Sequence, residues 1–320
     1  MHCISLDTTD PCFNLAVDEY LLRKSQEEYL ILGINDRSVI VGKHQVAHRE
    51  TDTKFVLENN IPVIRRISGG GTVFHDSGNL NFSFILNSEP GKQIDFAKYT
   101  LPVINFLNSV GVNAKLENKS DIRVNGLKIS GNSEHVFHNR VLHHGTLLFN
   151  TDLTLLKRSI RSEPGRYETR AVTSNPSQVE NIINVLNYVT NYVIDINEFR
   201  SLMMDWFLKN YSGAEYGCLS DEDKSEAGGL ADSKYRTWEW NYAYGPEYYF
   251  NNSFLIKGDN CCCRLHVKDS VVWECNISGS RELGLTFKDL IGCRHMVEDF
   301  QKVLDRKGIL EEGFDIYNLF

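Results

Sequence analysis

Apolar residues recur at helical spacing in some parts of the chain and alternate at strand spacing in others. Asp10-Pro11 supplies an N-cap and a first-turn proline, and helical spacing continues to about Lys24, which predicts a helix. Two strands at 29–34 and 38–42 are predicted to be joined by a hairpin-like turn at Asn35-Asp36. Further strands are predicted at 62–64, 79–84, 112–116 and 141–149, and further helices at 51–59 and 94–110, the latter with a kink or later start at Pro102.

The second half of the chain contains loops, helices and a strand-rich end. Residues 161–178 are rich in Arg, Ser, Thr and Pro without a clear period, which predicts a long loop. Helices are predicted at 179–189 and 197–210, and the acidic, Gly-containing stretch 211–233 is the candidate connecting region. The aromatic stretch 238–242 predicts a core or domain interface. The end of the chain predicts a small α+β module with strands at 249–256, 261–268 and 271–277 and helices at 287–290 and 295–304.

Residues 121–130 carry the clearest local signal. Asn125-Gly126 between alternating residues predicts a two-residue hairpin turn. That register pairs Val124 with Leu127, Ile122 with Ile129, and Asp121 with Ser130 on the two strands. It also places Arg123 opposite Lys128, and like charges directly opposite each other are unfavourable. An anion is therefore expected beside this pair, either Asp121 itself or a bound phosphate or carboxylate.

Three consecutive glycines follow two arginines in the stretch 61–84. A Gly-Gly-Gly run loses much backbone entropy on folding, so it is expected where the chain needs unusual dihedrals or a close approach to a ligand. The guanidinium groups of Arg65 and Arg66 suit phosphate or carboxylate. A tight hairpin with two solvated arginines is the alternative.

Composition restricts the possible partners. The 320 residues suit one large domain or a larger and a smaller one, with 42% hydrophobic and 24% charged residues. A formal net charge of −8 argues against general nucleic-acid binding, so any anion site must be a local basic pocket. No signal peptide and no apolar run that could span a membrane is found, which predicts a cytoplasmic protein.

The cysteines and histidines do not have metal-site spacing. Eight cysteines fit reduced thiols, and the contiguous Cys261, Cys262 and Cys263 suit neither a disulfide framework nor a zinc site. Cys12 near a helix start is interpreted as a buried thiol. His143 and His144 are adjacent on a predicted strand, so they point to opposite faces, and Gly145 permits close backbone approach.

Six stretches together resemble the lipoate–protein ligases, and the match runs in order from about residue 5 to residue 245. They are 14–21, 41–45, 65–79, 125–131, 142–148 and 238–242. The resemblance implies an α+β fold: a mixed-sheet catalytic domain over 1–245, shared with biotin ligases, and an accessory domain over 246–320. It implies two steps, in which lipoate and ATP give lipoyl-AMP and pyrophosphate, and a lysine of an acceptor lipoyl domain then takes the lipoyl group. Acceptors in the family are subunits of 2-oxoacid dehydrogenases and the glycine-cleavage H protein.

The resemblance also implies site residues. Lys128 is expected to contact the lipoyl carbonyl and the adenylate phosphate, Arg66 to hold phosphate, and Asp121 to partner Mg²⁺ or Lys128. The other expected residues of the ATP and lipoyl-adenylate site are Ser68, Gly70, Gly71, Thr72, Val73, Phe74, His75, Asn79 and His144. Residues 161–178 are expected to become ordered when adenylate binds.

Two alternatives remain open on the sequence alone. Related acyltransferases form a thioester on a cysteine, but this chain has no cysteine between residues 13 and 217. An ATP-independent lipoyltransferase that accepts lipoyl-AMP, and a non-catalytic protein that binds lipoate or the adenylate, both keep Lys128 and the glycine stretch. Release of pyrophosphate separates the ligase from both of them.

Overall fold

A large mixed sheet with helices on both faces forms the centre of the computed structural model, which describes residues 1–89, 91, 94–160, 164–190, 194–256, 259–279, 285, 287–310 and 314–320. Its strands lie in the order β12-β1-β2-β6-β10-β9-β8-β7, with β12, β1 and β2 parallel and the others antiparallel. The strands are β1 (His2–Ser5), β2 (Tyr29–Ile34), β6 (Asn79–Asn87), β7 (Lys115–Glu117), β8 (Asp121–Val124), β9 (Leu127–Phe137), β10 (Arg140–Leu148) and β12 (Glu215–Gly217). The predicted mixed-sheet α+β class is confirmed.

Two smaller sheets accompany the large one. The first has the order β4-β3-β5, from β3 (Ser38–Val41), β4 (Val63–Arg65) and β5 (Val73–His75). The second is antiparallel, with the order β11-β13-β14-β15, from β11 (Tyr167–Glu168), β13 (Tyr248–Ile256), β14 (Asp259–Lys268) and β15 (Val271–Ser278). The three strands predicted near the end of the chain are confirmed.

Helices cover both faces of the large sheet. Buried residues of α4 (Phe96–Ser109), α6 (Ile182–Thr190) and α7 (Ile196–Asn210) form one core with it, and those of α1 (Pro11–Lys24) and α8 (Asp221–Leu230) form another on the opposite face. Shorter helices are α2 (Ala47–Glu50), α3 (Thr53–Glu58), α5 (Leu153–Ser159) and α9 (Val297–Asp305). Single turns of 3-10 or π type lie at Pro164–Arg166, Ala231–Tyr235, Glu239–Ala243, Lys288–Leu290 and Ile316–Leu319.

The predicted start of the first helix is confirmed, because the Asp10 side chain accepts a hydrogen bond from the Cys12 N–H and Pro11 opens the helix. The fourth helix starts at Phe96, after its Asp95 cap, and continues through Pro102. Within the described part of the chain, no helix has the length and apolar character needed to cross a membrane.

The hairpin predicted at Asn35-Asp36 is wrong. The strand before it pairs with β1 and β6 in the large sheet, whereas the strand after it pairs with β4 and β5 in the small sheet. The residues of both strands are buried on nearly every side, so each strand needs neighbours on both faces, which an isolated hairpin does not supply.

The interpretation of 211–233 as a connecting region is also wrong. Its first part forms β12, which pairs with β1, and its second part forms α8, which packs on α1 through the buried Ala227. The acidic residues stand on the exposed side of α8, so they mark a solvated helix face.

The end of the chain shares its core with the earlier part. β11 is paired with β13, and the buried Val46 and Tyr167 belong to the same apolar cluster as residues of β13 to β15. His48 lies against His295, whose backbone carbonyl is 2.7 Å from its Nε2. The division into 1–245 and 246–320 stays a prediction.

Candidate active site

A cavity of about 550 Å³ lies on the face of the large sheet that carries α1. Its walls come from α1, the large sheet, the glycine stretch after β4 and the segment 172–177. Ile31 of β2 lines one side and Asp121 of β8 lines the other. The strand order places three strands between these two, so the cavity spans about 19 Å across the sheet at the usual strand spacing.

The two ends of this cavity differ in polarity. Leu6, Leu15, Ile31 and Ile40 line it near β2 and β3. The β8–β9 hairpin instead contributes carboxylate, guanidinium and ammonium groups from Asp121, Arg123 and Lys128. The arrangement suits an elongated ligand with an apolar tail and an anionic head.

Asp121 supplies the anion that the predicted hairpin register required. Its Oδ1 lies 2.8 Å from Lys128 Nζ and its Oδ2 lies 2.9 Å from Arg123 Nη2. The predicted pairs Arg123–Lys128 and Val124–Leu127 are confirmed. Beyond them the register shifts at a bulge between Ile122 and Arg123, so the pairings predicted for Ile122 and Asp121 are wrong. The bulge moves Asp121 opposite Gly131, where no side chain separates its carboxylate from Lys128.

Arg66 organises the glycine stretch through its own hydrogen bonds. Its guanidinium donates to the carbonyls of Ile40, Gly69 and Gly71 and to Ser68 Oγ. Burial and the neighbouring Arg65 lower the pKa of Arg66 to about 10, so the group stays a cation at neutral pH. The expectation that Arg66 holds phosphate stays a prediction. The contacts show a cation that fixes the backbone of the loop.

Arg65 does not face the cavity. Its side chain is fully buried and donates to the carbonyls of Trp240 and Asn241 and to three carbonyls of 42–45. Trp240 Nε1 in turn donates to the carbonyl of Arg65 over 2.7 Å. The interpretation of Arg65 as an anion-binding group is therefore corrected, because carbonyl oxygens take its donors. The aromatic stretch 238–242 is an interface, as predicted, and Arg65 is the residue it holds.

His143 and His144 point to opposite faces, as predicted. His144 lines the cavity, and its Nδ1–H donates to Asp18 Oδ2 over 3.2 Å while its Nε2 accepts from Ser68 Oγ. His143 is buried on the other face, where its Nδ1 lies 2.9 Å from Glu134 Oε1. Gly145 allows close contact, since a Cβ there would lie 2.6 Å from Phe82 Cζ.

His75 also lines the cavity and is neutral. Asn35 Nδ2–H donates to its Nδ1 over 2.9 Å, and Asn14 holds Asn35 in turn. Burial, with a smaller contribution from the charge of Arg66, lowers the pKa of His75 to about 3. The side chains of Phe74 and Asn79 are buried away from the lining, Phe74 in the core of the small sheet and Asn79 against Asn81.

Most residues expected at the site come together. The cavity is lined by Arg66, Gly70, Gly71, Thr72, Val73, His75, Asp121, Lys128 and His144, and the buried Ser68 lies directly behind His144. Phe74 and Asn79 are the two that lie outside the lining. The roles assigned to all of these residues stay predictions.

Comparison with known proteins decides the family. The model of the lipoyl protein ligase A/B catalytic domain matches residues 10–208. Lipoate–protein ligase 1 of Staphylococcus aureus is 35% identical over 318 residues, which cover 98% of this chain and 93% of that protein. The chain belongs to the lipoate–protein ligase family. The resemblance inferred from the glycine stretch, the hairpin and the histidine pair is confirmed.

Solved structures of similar lipoate–protein ligases agree. A T. acidophilum protein with bound lipoic acid superposes with a TM-score of 0.64 at 28% identity, covering 75% of this chain and 98% of that one. Lipoate–protein ligase A bound with ATP superposes with a TM-score of 0.62 at 29% identity, covering 75% and 97%. This chain is therefore similar to structures with each of the two small ligands that the family name and the sequence suggest.

Several lining residues of this family member were missed from the sequence. They include Asp18 and Asn14 on α1 and the segment 172–177. Asp18 and Asn14 have no local signal, because a carboxylate and an amide on an amphipathic helix are typical of its solvated face. The loop prediction for 161–178 did indicate the segment. Its residues 161–163 lie outside the described residues, and the ordering on ligand binding stays a prediction.

The residues near the hairpin do not form a metal site by themselves. Within the described ranges, no cluster of three His, Cys, Asp or Glu side chains could hold a metal ion. Both carboxylate oxygens of Asp121 already contact cationic side chains. Mg²⁺ often binds through substrate phosphates with one or two carboxylates, so it would enter this cavity as the counter-ion of the nucleotide substrate. Asp121 as a Mg²⁺ ligand stays a prediction.

Proposed function

We propose that this chain is an ATP-dependent lipoate–protein ligase. The observation that carries the proposal is the polarity of the cavity, which leads from apolar residues near β2 to the Lys128–Asp121–Arg123 cluster on the hairpin. Lipoate has the same polarity, with an apolar chain and ring at one end and a carboxylate at the other. Family membership and the ATP-bound similar structure supply the nucleotide.

In the first step, a carboxylate oxygen of lipoate attacks the α-phosphorus of Mg-ATP, and pyrophosphate leaves. Both reactants are anions, so catalysis consists mainly of positioning and of stabilising negative charge. Lys128 is suited to this, since its ammonium is held by Asp121 and its side chain reaches the cavity. The backbone of Gly70, Gly71 and Thr72, braced by Arg66, is suited to approach the phosphate closely.

In the second step, the ε-amine of an acceptor lysine attacks the carbonyl of lipoyl-AMP, and AMP leaves. The proposed acceptors are lipoyl-domain proteins, among them subunits of 2-oxoacid dehydrogenases and the glycine-cleavage H protein. An enzyme thioester is not favoured, because the described residues that line the cavity include no cysteine. Cys12 lies outside the lining, and burial raises the pKa of its thiol.

The test is pyrophosphate release from purified protein with lipoate and Mg-ATP in the absence of any acceptor. A lipoate-dependent burst of pyrophosphate, followed by lysine modification when a lipoyl domain is added, is the expected result. Silence with ATP, together with transfer from supplied lipoyl-AMP, would identify an ATP-independent lipoyltransferase. Silence in both assays would leave a protein that binds lipoate or its adenylate without catalysis.

A further inference from the structure

Ser174 joins the segment 172–177 to the glycine stretch. Its hydroxyl donates to Glu50 Oε2 and accepts hydrogen bonds from the Thr72 N–H, over 2.8 Å, and from Gln45 Nε2, over 3.1 Å. Its backbone N–H also donates to Glu50 Oε2, over 3.2 Å. A serine hydroxyl has one donor and two acceptor sites, so every hydrogen-bonding site of this side chain is used.

The partners of Ser174 are themselves held in place. Glu50, on α2, is only 2% exposed, and burial raises the pKa of its carboxyl group. Gln45 is fully buried, and its Oε1 accepts from the Gly42 N–H over 2.8 Å and from Thr72 Oγ1 over 2.9 Å. We name these four residues, Gln45, Glu50, Thr72 and Ser174, the latch.

The latch stands at the wall of the cavity. Thr72 and Ser174 line it from opposite sides, while Glu50 and Gln45 lie behind them, outside the lining. The two walls touch closely, since a Cβ at Gly71 would lie 3.2 Å from Ser174 Oγ. Opening the segment would therefore have to break the hydrogen bonds of Ser174 before the cavity reached solvent on this side.

An acyl-adenylate is a mixed anhydride that water hydrolyses once it leaves the protein. A ligase with two half-reactions must therefore keep this intermediate bound until the acceptor amine arrives. We propose that Glu50 and Ser174 are positioning residues that hold the segment 172–177 closed on the cavity and retain the acyl-adenylate between the two half-reactions. The identity of the retained intermediate rests on the proposed function. Neither residue is assigned a chemical step.

The experiment measures the dissociation rate of supplied lipoyl-AMP from full-length protein for Ser174→Ala, Glu50→Ala and the double variant. Each single variant is expected to release lipoyl-AMP about tenfold faster, the effect of losing one hydrogen bond to a charged group. The double variant is expected to be no faster than the quicker single variant, because both changes remove the same contact. Fewer acceptor lysines are also expected to be modified per pyrophosphate released, which a change in fold alone would not produce.

Arg170→Ala is the matched control, because Arg170 is exposed and precedes the same segment without lining the cavity. Its lipoyl-AMP release is expected to equal that of the unmodified protein. Equal release by Ser174→Ala, in a variant whose melting temperature is preserved, would overturn the proposal even if Glu50→Ala fails to fold. Additive effects in the double variant would also overturn it.

The outcome separates the latch from the proposed function. If the unmodified protein binds lipoyl-AMP but makes none from ATP, adenylation fails, and the dissociation rates still decide the latch. If it makes lipoyl-AMP and the latch variants release it at the normal rate, the latch alone fails. If it does not bind lipoyl-AMP at all, both are overturned.

Discussion

Lys128 and Arg65 are cationic side chains in different surroundings. Lys128 contacts one carboxylate, that of Asp121, and its side chain is 24% exposed toward the cavity. Arg65 is wholly buried, and its donors end on backbone carbonyls. An ammonium group has three donors, so Lys128 can accept an anionic ligand without leaving Asp121. A mutation at each site should therefore have a different effect.

Lys128→Ala is expected to lower the rate of lipoyl-AMP formation by about 10²–10³-fold, because it removes a charge aimed at the developing phosphate charge. The melting temperature should change little, since the side chain is partly exposed and loses one ion pair. Lys115→Ala, on the exposed side of β7, is the control and should keep normal activity. Normal adenylate formation by Lys128→Ala would remove Lys128 from the reaction.

Arg65→Met is expected to destabilise the fold by about 3–5 kcal/mol, since it leaves several buried carbonyls without a donor. The measurement is the free energy of unfolding in urea. Arg37→Met, at an exposed position after β2, should change it by less than about 0.5 kcal/mol. A ligand-binding Arg65 would instead lower activity while stability stayed normal.

At the scale of elements, local sequence decides a turn but not the neighbours of a strand. Asn125 and Gly126 both have positive φ, 53° and 79°, as a two-residue hairpin turn requires. The pairs next to the turn follow from it. The bulge one step further depends on where Asp121 and Arg123 find partners, which the alternation of residue types does not express.

Gly126→Ala is expected to destabilise the protein by about 1 kcal/mol, because an L side chain is strained at this φ although a Cβ there has open space. Gly228→Ala is the matched comparison: its Cβ also has open space, but it lies inside α8. That variant should gain about 0.5–1 kcal/mol. Urea unfolding of both variants tests the pair, and equal shifts of the same sign would contradict the explanation.

At the scale of the whole molecule, histidines connect the end of the chain to the rest. His295 is buried, accepts from Tyr248 OH at Nδ1 over 2.6 Å and donates from Nε2 to the Leu319 carbonyl. His48 contacts the His295 carbonyl from α2, the helix that also carries Glu50 of the latch. The end of the chain thus packs directly behind one wall of the cavity.

The protein is expected to lose stability as the pH falls from about 6.5 to about 4. Burial lowers the pKa of His295 to about 4, so below pH 6.5 the unfolded chain binds a proton that the folded chain does not. Stability is therefore full above pH 6.5 and falls by at most about 1.4 kcal/mol per pH unit for this group.

His295→Gln should reduce that slope, measured as the free energy of unfolding between pH 7 and pH 4. His138→Gln, at an exposed position, should leave it unchanged. Burial also lowers the pKa of His75 and of His135, so part of the pH dependence should persist in the His295 variant. An unchanged slope in His295→Gln would contradict a neutral buried His295.

The sequence by itself determined the family, the class of the fold, the ends of most helices and strands, and the residues that carry the chemistry. These depend on short-range features: the Asp10-Pro11 cap, the Asn125-Gly126 turn and the glycine stretch. Only the tertiary structure decided that β2 and β3 lie in different sheets, that 211–233 packs on α1, and that Arg65 is structural. It also brought Glu50 to Ser174, 124 residues apart. Such contacts depend on which buried polar groups find partners across the fold, which local spacing along the chain does not determine.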